Sequence, residues 1–198
     1  MASASDADWA EYYRRLSGRP PRPLALRATE LKPAPGLALD LGCGDGTETV
    51  FLLEQGWSVV AVDREPAALE LTSERAGGTG MLTVQIADLV DYEPPKADLI
   101  LASATLPFVP GEHFASVWAR LRYALKTSGL LAVHLFGNRD SWSEGEDSVE
   151  GMTFHSRAAA EKILRGLDVL QLQEHEYDGG SGRGPKHWHR FDIIARQR

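Results

Sequence analysis

The chain is short of cysteine, of positive charge and of long apolar runs, and each shortage narrows its function. Cys43 is the single cysteine in 198 residues, so no internal disulfide forms, which fits a reducing compartment. Basic residues number 21 against 28 acidic ones, a formal net charge of −7. Sequence-independent nucleic-acid binding draws most of its affinity from Lys and Arg on phosphates, so no nucleic-acid partner is expected. No run approaches the roughly 18 apolar residues of a membrane span. The opening Met1-Ala-Ser-Ala-Ser-Asp-Ala-Asp8 also lacks the basic-then-apolar order of a signal peptide. The expectation is a soluble, cytoplasmic protein, monomer or homodimer, with no membrane partner. No internal repeat is present, and 43% hydrophobic content over this length suits one well-cored domain.

A further absence lies inside the most informative stretch. Residues 37–41 form a short apolar run that meets three alternate glycines, Gly42, Gly44 and Gly46, before a segment of helical spacing begins (Val50, Phe51, Leu53). Strand, glycine turn and helix start in that order open a nucleotide-binding βαβ unit. Glycine suits the turn because it reaches positive φ cheaply and lets a ligand approach the backbone. The dinucleotide spacing G-x-G-x-x-G would need glycine at 47, where Thr47 stands. Asp40, two residues before the first glycine, would repel a pyrophosphate and attract an ammonium or sulfonium. The next predicted strand, 57–62, leads into Asp63, where an acid holds ribose hydroxyls in such units.

Along the rest of the chain, residues 6–17 read as an amphipathic helix with Trp9, Tyr12, Tyr13 and Leu16 on one face. A stiff Arg19-Pro-Pro-Arg-Pro23 connector leads to a helix over 24–31. Helices follow over 47–55, from 65 to about 76, and over 111–126, with strands at 81–87, 97–102 and 130–136 and a turn at 127–129. This alternation predicts a parallel sheet covered on both faces. Residues 137–154 form a long polar segment, expected as a closing lid. A short helix over 157–165 capped by Ser156 follows, then strands over 168–177 and 187–195 joined by a glycine-rich loop, 178–185. Two strands joined by a loop pair antiparallel.

Asp40-Leu-Gly-Cys-Gly-Asp-Gly46 together with Asp63 resembles the first motifs of the class I S-adenosylmethionine-dependent methyltransferases, and the histidine near the final strand is similar to small bacterial members of the tellurite-resistance type. The resemblance spans about residues 36–197 in layout, and its specific motif only 36–63. It implies an α/β, Rossmann-like doubly wound sheet of seven strands in the order 3-2-1-4-5-7-6, with strand 7 antiparallel. It further implies an N-terminal helical cap at 1–35 and a cofactor-binding methyltransferase domain at 36–198. The cofactor would be S-adenosyl-L-methionine, with S-adenosyl-L-homocysteine as product. Gly42, Cys43 and Gly44 would lie against its methionine part, Asp40 near its cationic groups, Asp63 on the ribose hydroxyls, and Arg64, Asp88 and Leu89 around the adenine. Ser103 would line the crevice, and Tyr12 or Tyr13 would cover it.

The expected activity is methyl transfer to a small-molecule oxygen, sulfur, carbon or metalloid acceptor. Asn-Pro-Pro-Tyr, the signature of many amino-methylating enzymes, is missing after the fourth strand, where Ser103-Ala-Thr-Leu-Pro-Phe108 stands. A base is needed only if the acceptor loses a proton. His187, in Lys186-His-Trp-His-Arg190, is the leading candidate for it. His187 and His189 share a strand face but lack a Cys pair or acidic third ligand at a recognisable spacing, so no metal is expected. His134 reads as a core residue and His175 as a solvated one. Two other readings stand beside this one: a noncatalytic S-adenosylmethionine-binding protein, and a nicotinamide-dependent oxidoreductase.

Overall fold

A computed structural model describes residues 2–3, 13, 18–181 and 184–198. The predicted helix over 6–17 lies outside the described residues except for Tyr13. The elements are α1 (Pro23–Leu31), β1 (Leu37–Leu41), α2 (Thr47–Glu54), β2 (Ser58–Asp63), α3 (Pro66–Ala76), β3 (Leu82–Ile86), β4 (Ala97–Ala102), α4 (Gly111–Ala124), β5 (Leu125–Gly137), α5 (Arg157–Ile163), β6 (Asp168–Ser181) and β7 (Gly184–Arg196). The strands form one sheet in the order β3-β2-β1-β4-β5-β7-β6. Neighbours from β3 to β5 are parallel, and β7 runs antiparallel to both β5 and β6. This is the doubly wound order expected from the resemblance. A short strand, Phe154–His155, adds parallel to the end of β5, and residues 2–3 pair with 149–150.

Alternation along the central strands explains the two cores. Successive side chains point to opposite faces, and strands covered on both faces read as continuous apolar runs. On one face Leu39, Leu41, Ile100, Leu131, Val133 and Leu135 pack with Phe114, Val117, Trp118 and Leu121 of α4 and Ala160 of α5. On the other, Ala38, Leu99, Leu101, Leu130, Ala132 and Ile194 pack with Leu24, Ala25 and Ala28 of α1 and Leu52 of α2. Helix α1 thus shares a core with the sheet. Pro23 at its first position has no N–H to lose there. Helix α5 starts where Ser156 Oγ accepts from the Ala159 amide at 3.2 Å.

Two boundaries differ from the sequence expectation. The turn expected at 127–129 is strand: β5 begins at Leu125 and runs through it. Ser128 takes φ +61°, and the pairing with β4 shifts register here, so these residues form a bulge. Long-range bonds hold it, from the Ser128 amide to the Gln197 carbonyl and from the Gln197 amide to the Gly129 carbonyl. Likewise, most of the expected loop at 178–185 is ladder, with Ser181 opposite Gly184 and Gly179 opposite Lys186. The Trp188 indole N–H donates to the Gly180 carbonyl at 3.2 Å and its ring stacks on Tyr177, which extends the hairpin.

Candidate active site

The carboxyl ends of β1, β2 and β4 meet at the glycine turn, the position where open α/β sheets bind ligands. Gly42 and Gly44 have φ of +67° and +54°, a region that L side chains rarely adopt. The space is also taken. A Cβ on Gly42 would lie 2.3 Å from Thr105 Oγ1, and one on Gly44 3.0 Å from the Tyr13 ring. Thr105, two residues beyond Ser103, donates to the Leu41 carbonyl at 2.8 Å and so fastens the β4 end against the turn. The Gly42 and Cys43 amides both donate to the Val62 carbonyl, at 2.7 and 3.1 Å, which brings Asp63 beside the turn.

Two buried carboxylates flank this backbone. Asp63 accepts from the Gly44 and Glu65 amides, each at 3.0 Å. Burial pushes its carboxyl up, and those amides oppose the shift. A carboxylate has about four acceptor sites, more than these backbone amides fill, so acceptor capacity remains for a ligand. Asp40 accepts from Thr49 Oγ1 at 2.6 Å. Burial, and next the Glu48 carboxylate, push Asp40 up to about 7, against the pull of Thr49 and Arg19. A site that leaves an acid unsatisfied in this way favours a cation.

A clamp that sequence reading missed closes the near side. Arg19 grips Glu48 through both guanidinium ends, at 2.7 and 2.5 Å, and reaches Asp45 at 3.5 Å. Arg75 reaches Asp45 Oδ2 at 2.8 Å and Thr47 Oγ1 at 2.9 Å. Burial alone would raise Glu48, but the Arg19 bond holds it below the ordinary carboxylate range. Arg19 and Glu48 stand 29 residues apart, so no local signal announces the pair. Tyr13 is buried over the turn; burial first, then the Asp63 and Cys43 charges, push its phenol up. Tyr12 lies outside the described residues.

The other expected positions are placed as follows. Cys43 is buried, with Sγ 3.5 Å from Thr72 Oγ1, and burial pushes its thiol up, so it packs as a neutral group. Arg64 is part-exposed, with Nε 3.5 Å from Glu65. Asp88 is exposed and caps its own turn through the Val90 amide at 2.8 Å, while Leu89 packs at the edge of the core. The Ala87 amide donates to the Asp63 carbonyl at 3.0 Å, which ties this turn to the end of β2. Ser103, at the end of β4, has Oγ 3.4 Å from His134 Nδ1.

His187 stands apart from this group. It lies on the edge hairpin with Nδ1 2.6 Å from Asp178 and Nε2 3.2 Å from Glu176. The Asp178 bond, then the Glu176 bond, push its imidazole up. A ring with both nitrogens engaged has no free lone pair for a proton, so base chemistry there requires one carboxylate to leave first. His189, Arg139 and Arg157 join the same ion network through Glu174, at 2.9, 2.9 and 3.2 Å. Among the described residues no cluster of three or more His, Cys, Asp or Glu is arranged to hold a metal ion. The 137–154 segment is pinned at its start: Asp140 is fully buried against the Lys186 ammonium, and its Oδ1 accepts from the Trp142 amide at 3.0 Å.

Comparison with known proteins agrees with this geometry. The family described as methyltransferase domain matches residues 39–131. A trans-aconitate 2-methyltransferase of Acidovorax sp. (strain JS42) is 38% identical over 136 residues, covering 67% of this chain and 52% of that protein. The enzyme of the same name from Streptomyces coelicolor is 34% identical over 149 residues, covering 71% and 48%. The chain therefore spans about half the length of these relatives. Among solved structures, TehB from Haemophilus influenzae superposes with a TM-score of 0.77 at 13% identity, over 96% of this chain and 67% of that one. A Burkholderia thailandensis 1,6-didemethyltoxoflavin-N1-methyltransferase, solved with S-adenosylhomocysteine, gives 0.67 at 19% identity, over 98% and 80%. At these identities the likeness is one of fold.

Proposed function

The chain carries a small class I S-adenosylmethionine-dependent methyltransferase domain, and from that premise we propose that it transfers a methyl group to a small-molecule acceptor. The observation that carries this reading is the pair of buried carboxylates, Asp40 and Asp63, on either side of a turn built from positive-φ glycines. That charge pattern fits a cationic ligand bearing ribose hydroxyls and disfavours a pyrophosphate, which sets the oxidoreductase alternative aside.

In this reading Asp63 accepts the ribose hydroxyls with its remaining acceptor capacity, and Asp40 faces the cationic end. The backbone at Gly42 and Gly44 lies along the methionine part, with Cys43 packed beneath and Tyr13 above. Arg64, Asp88 and Leu89 border the adenine, and Ser103 the acceptor side. The bound cofactor supplies an already activated methyl donor, so holding the acceptor in line supplies much of the rate. His187 acts as a base here only after releasing Asp178 or Glu176, and unchanged turnover in H187N removes it from the reaction. The relatives are named for trans-aconitate, a small carboxylate; for this chain the acceptor is drawn from the oxygen, sulfur, carbon or metalloid classes.

Calorimetric titration with S-adenosylmethionine, S-adenosylhomocysteine and NADH tests the cofactor. Both adenosyl compounds are expected to bind in the micromolar range and NADH not at all; binding of NADH alone would overturn the reading. Asp40 adds a pH signature. In the free protein it holds a proton below about 7, and a cation beside it favours the carboxylate. Binding of S-adenosylmethionine therefore releases up to one proton, and affinity rises up to about tenfold per pH unit towards 7 and is flat above it. D40N is expected to erase that slope. An affinity independent of pH between about 5.5 and 8 in the parent protein would contradict the role given to Asp40. Detection of binding with no turnover of any acceptor class would favour a noncatalytic role.

A further inference from the structure

The α1-covered face of the sheet is apolar until the strands approach the crevice, and there it becomes a row of polar groups. On β5, Leu130 and Ala132 are followed on the same face by His134, which is 2% exposed. Its Nδ1 lies 3.4 Å from Oγ of Ser103, the residue just past β4, and its Nε2 lies 3.4 Å from Asp192 Oδ1 on β7. Asp192 is the register partner of His134 and is itself held by Arg190, Nε to Oδ1 at 2.7 Å and Nη2 to Oδ2 at 3.2 Å. Burying polar groups in an apolar face is costly unless they satisfy one another. An aliphatic residue at 134 would continue the pattern of Leu130 and Ala132 without that cost.

We propose that Ser103, His134 and Asp192 form a proton relay leading out of the crevice, serving an acceptor that loses a proton as it is methylated. The inference rests on the methyltransferase reading for its direction. Ser103 is the member beside the glycine turn: Thr105 is locked to the Leu41 carbonyl, and Ala104 between them takes φ +59°. Such a conformation is strained and persists only where the surroundings dictate it. The Asp192 carboxylate, 3.4 Å from Nε2, favours through its charge the tautomer with Nε2–H, which leaves the Nδ1 lone pair facing the serine hydroxyl. The groups facing the ring are Asp192, Arg190, Arg22 and His175. Burial first, then the charges of Arg190, Arg22 and His175, push the imidazole down, so it rests neutral and takes a proton only transiently, at a cost that the Asp192 carboxylate must offset.

The step balances as follows. The acceptor's X–H bond breaks and its electron pair stays on X; the proton goes to Ser103 Oγ while the seryl hydrogen goes to His134 Nδ1. The pair on X forms the bond to the methyl carbon, and the carbon–sulfur pair remains on sulfur. Asp192, fixed by Arg190, stabilises the transient imidazolium. A hydroxyl or thiol acceptor uses this path, whereas an ionised carboxylate has no proton to give.

The relay is tested without acceptor or cofactor by placing a thiol at position 103. In S103C, ultraviolet thiolate absorbance against pH is expected to show a pKa at least one unit below the ~8.5 of free cysteine, because a thiolate–imidazolium pair forms. Cys43, pushed up by burial, stays out of that window. In S103C/H134Q the value is expected to rise by a unit or more. An introduced thiol that titrates at or above the ordinary value in S103C, with His134 present, would overturn the relay and identify His134 as packing only. If the double variant does not fold, the S103C value alone decides. Titration of unsubstituted protein with S-adenosylmethionine runs alongside, so that failure of cofactor binding, which strikes the methyltransferase reading, is distinguishable from failure of the relay.

Discussion

D63A is expected to weaken binding of S-adenosylmethionine by about a hundredfold or more, the largest loss from any single cofactor-side change. The Asp63 carboxylate sits at 6% exposure with the Gly44 and Glu65 amides already bound to it. Each charge-assisted bond to a ribose hydroxyl is worth about 1.5–3 kcal/mol, and two of them amount to about two orders of magnitude in affinity. The substitution also strands the Gly44 N–H, so the turn that faces the ligand loses its anchor. D63N keeps the shape but turns a donor towards one of those amides, and is expected to recover little. Asp88 offers the contrast: exposed and engaged by its own turn, it should cost no more than a few-fold when changed to alanine. Calorimetry on the three variants checks this, and a D63A loss smaller than that of D88A would contradict the site as drawn.

The largest effect on stability is expected from K186M. Lys186 and Asp140 have no exposed side-chain surface, and the ammonium lies 4.2 Å from the Trp142 ring, 4.3 Å from Trp188 and 5.3 Å from Phe136. Burial pushes the ammonium down towards about 7, a shift that the carboxylate beside it opposes. Removing one partner of such a pair leaves an uncompensated buried charge and costs about 3–5 kcal/mol. Asp140 would then respond by holding a proton. Burying an unpaired carboxylate disfavours its charged form, so the deficit should be larger at about pH 8 than at about pH 5. In D140N/K186M the Asn oxygen still accepts from the Trp142 amide, but its NH2 faces the His189 amide, so only part of the loss should return. Urea unfolding at both pH values measures this; a K186M deficit below about 1 kcal/mol at the higher pH would show that the pair contributes little. The same pair bears on the segment expected as a lid. Its first residues are clamped to β7, since the Ser141 amide donates to the His187 carbonyl at 3.1 Å and the His189 amide to Asp140 at 3.3 Å. The far end is held as well, by the Thr153 amide on the Pro107 carbonyl at 2.8 Å, so only residues between Trp142 and Thr153 are left for such a motion.

Local chemistry made the glycine-turn end of the crevice legible. Positive-φ glycines, an acid before the turn and an acid ending the next strand all fall between Asp40 and Asp63, and strand and helix periods around them are strong. The turn, Asp40 and Asp63 therefore stand together as their order implied. The strand order followed from resemblance rather than from periodicity, because an apolar run does not reveal its neighbours. Where the backbone was governed by distant pairing, local signals misled. Thr127-Ser-Gly129 has turn composition and is a bulge, held by Gln197 at the far end of the chain. Asp178 to Pro185 has loop composition and is mostly ladder.

What the sequence by itself determined is the character of the site: a glycine turn between acids, hostile to pyrophosphate, on a parallel α/β sheet. What only the tertiary structure decided is which polar groups are buried and against whom. Lys186, which falls between the loop expected over 178–185 and the strand expected over 187–195, is sealed by aromatic rings and a loop 46 residues away. His134, which reads as an ordinary core residue, lies between a serine and an aspartate brought from two other strands. Burial and pairing at such separations are products of packing, and a side chain's charge state follows the neighbours that packing supplies.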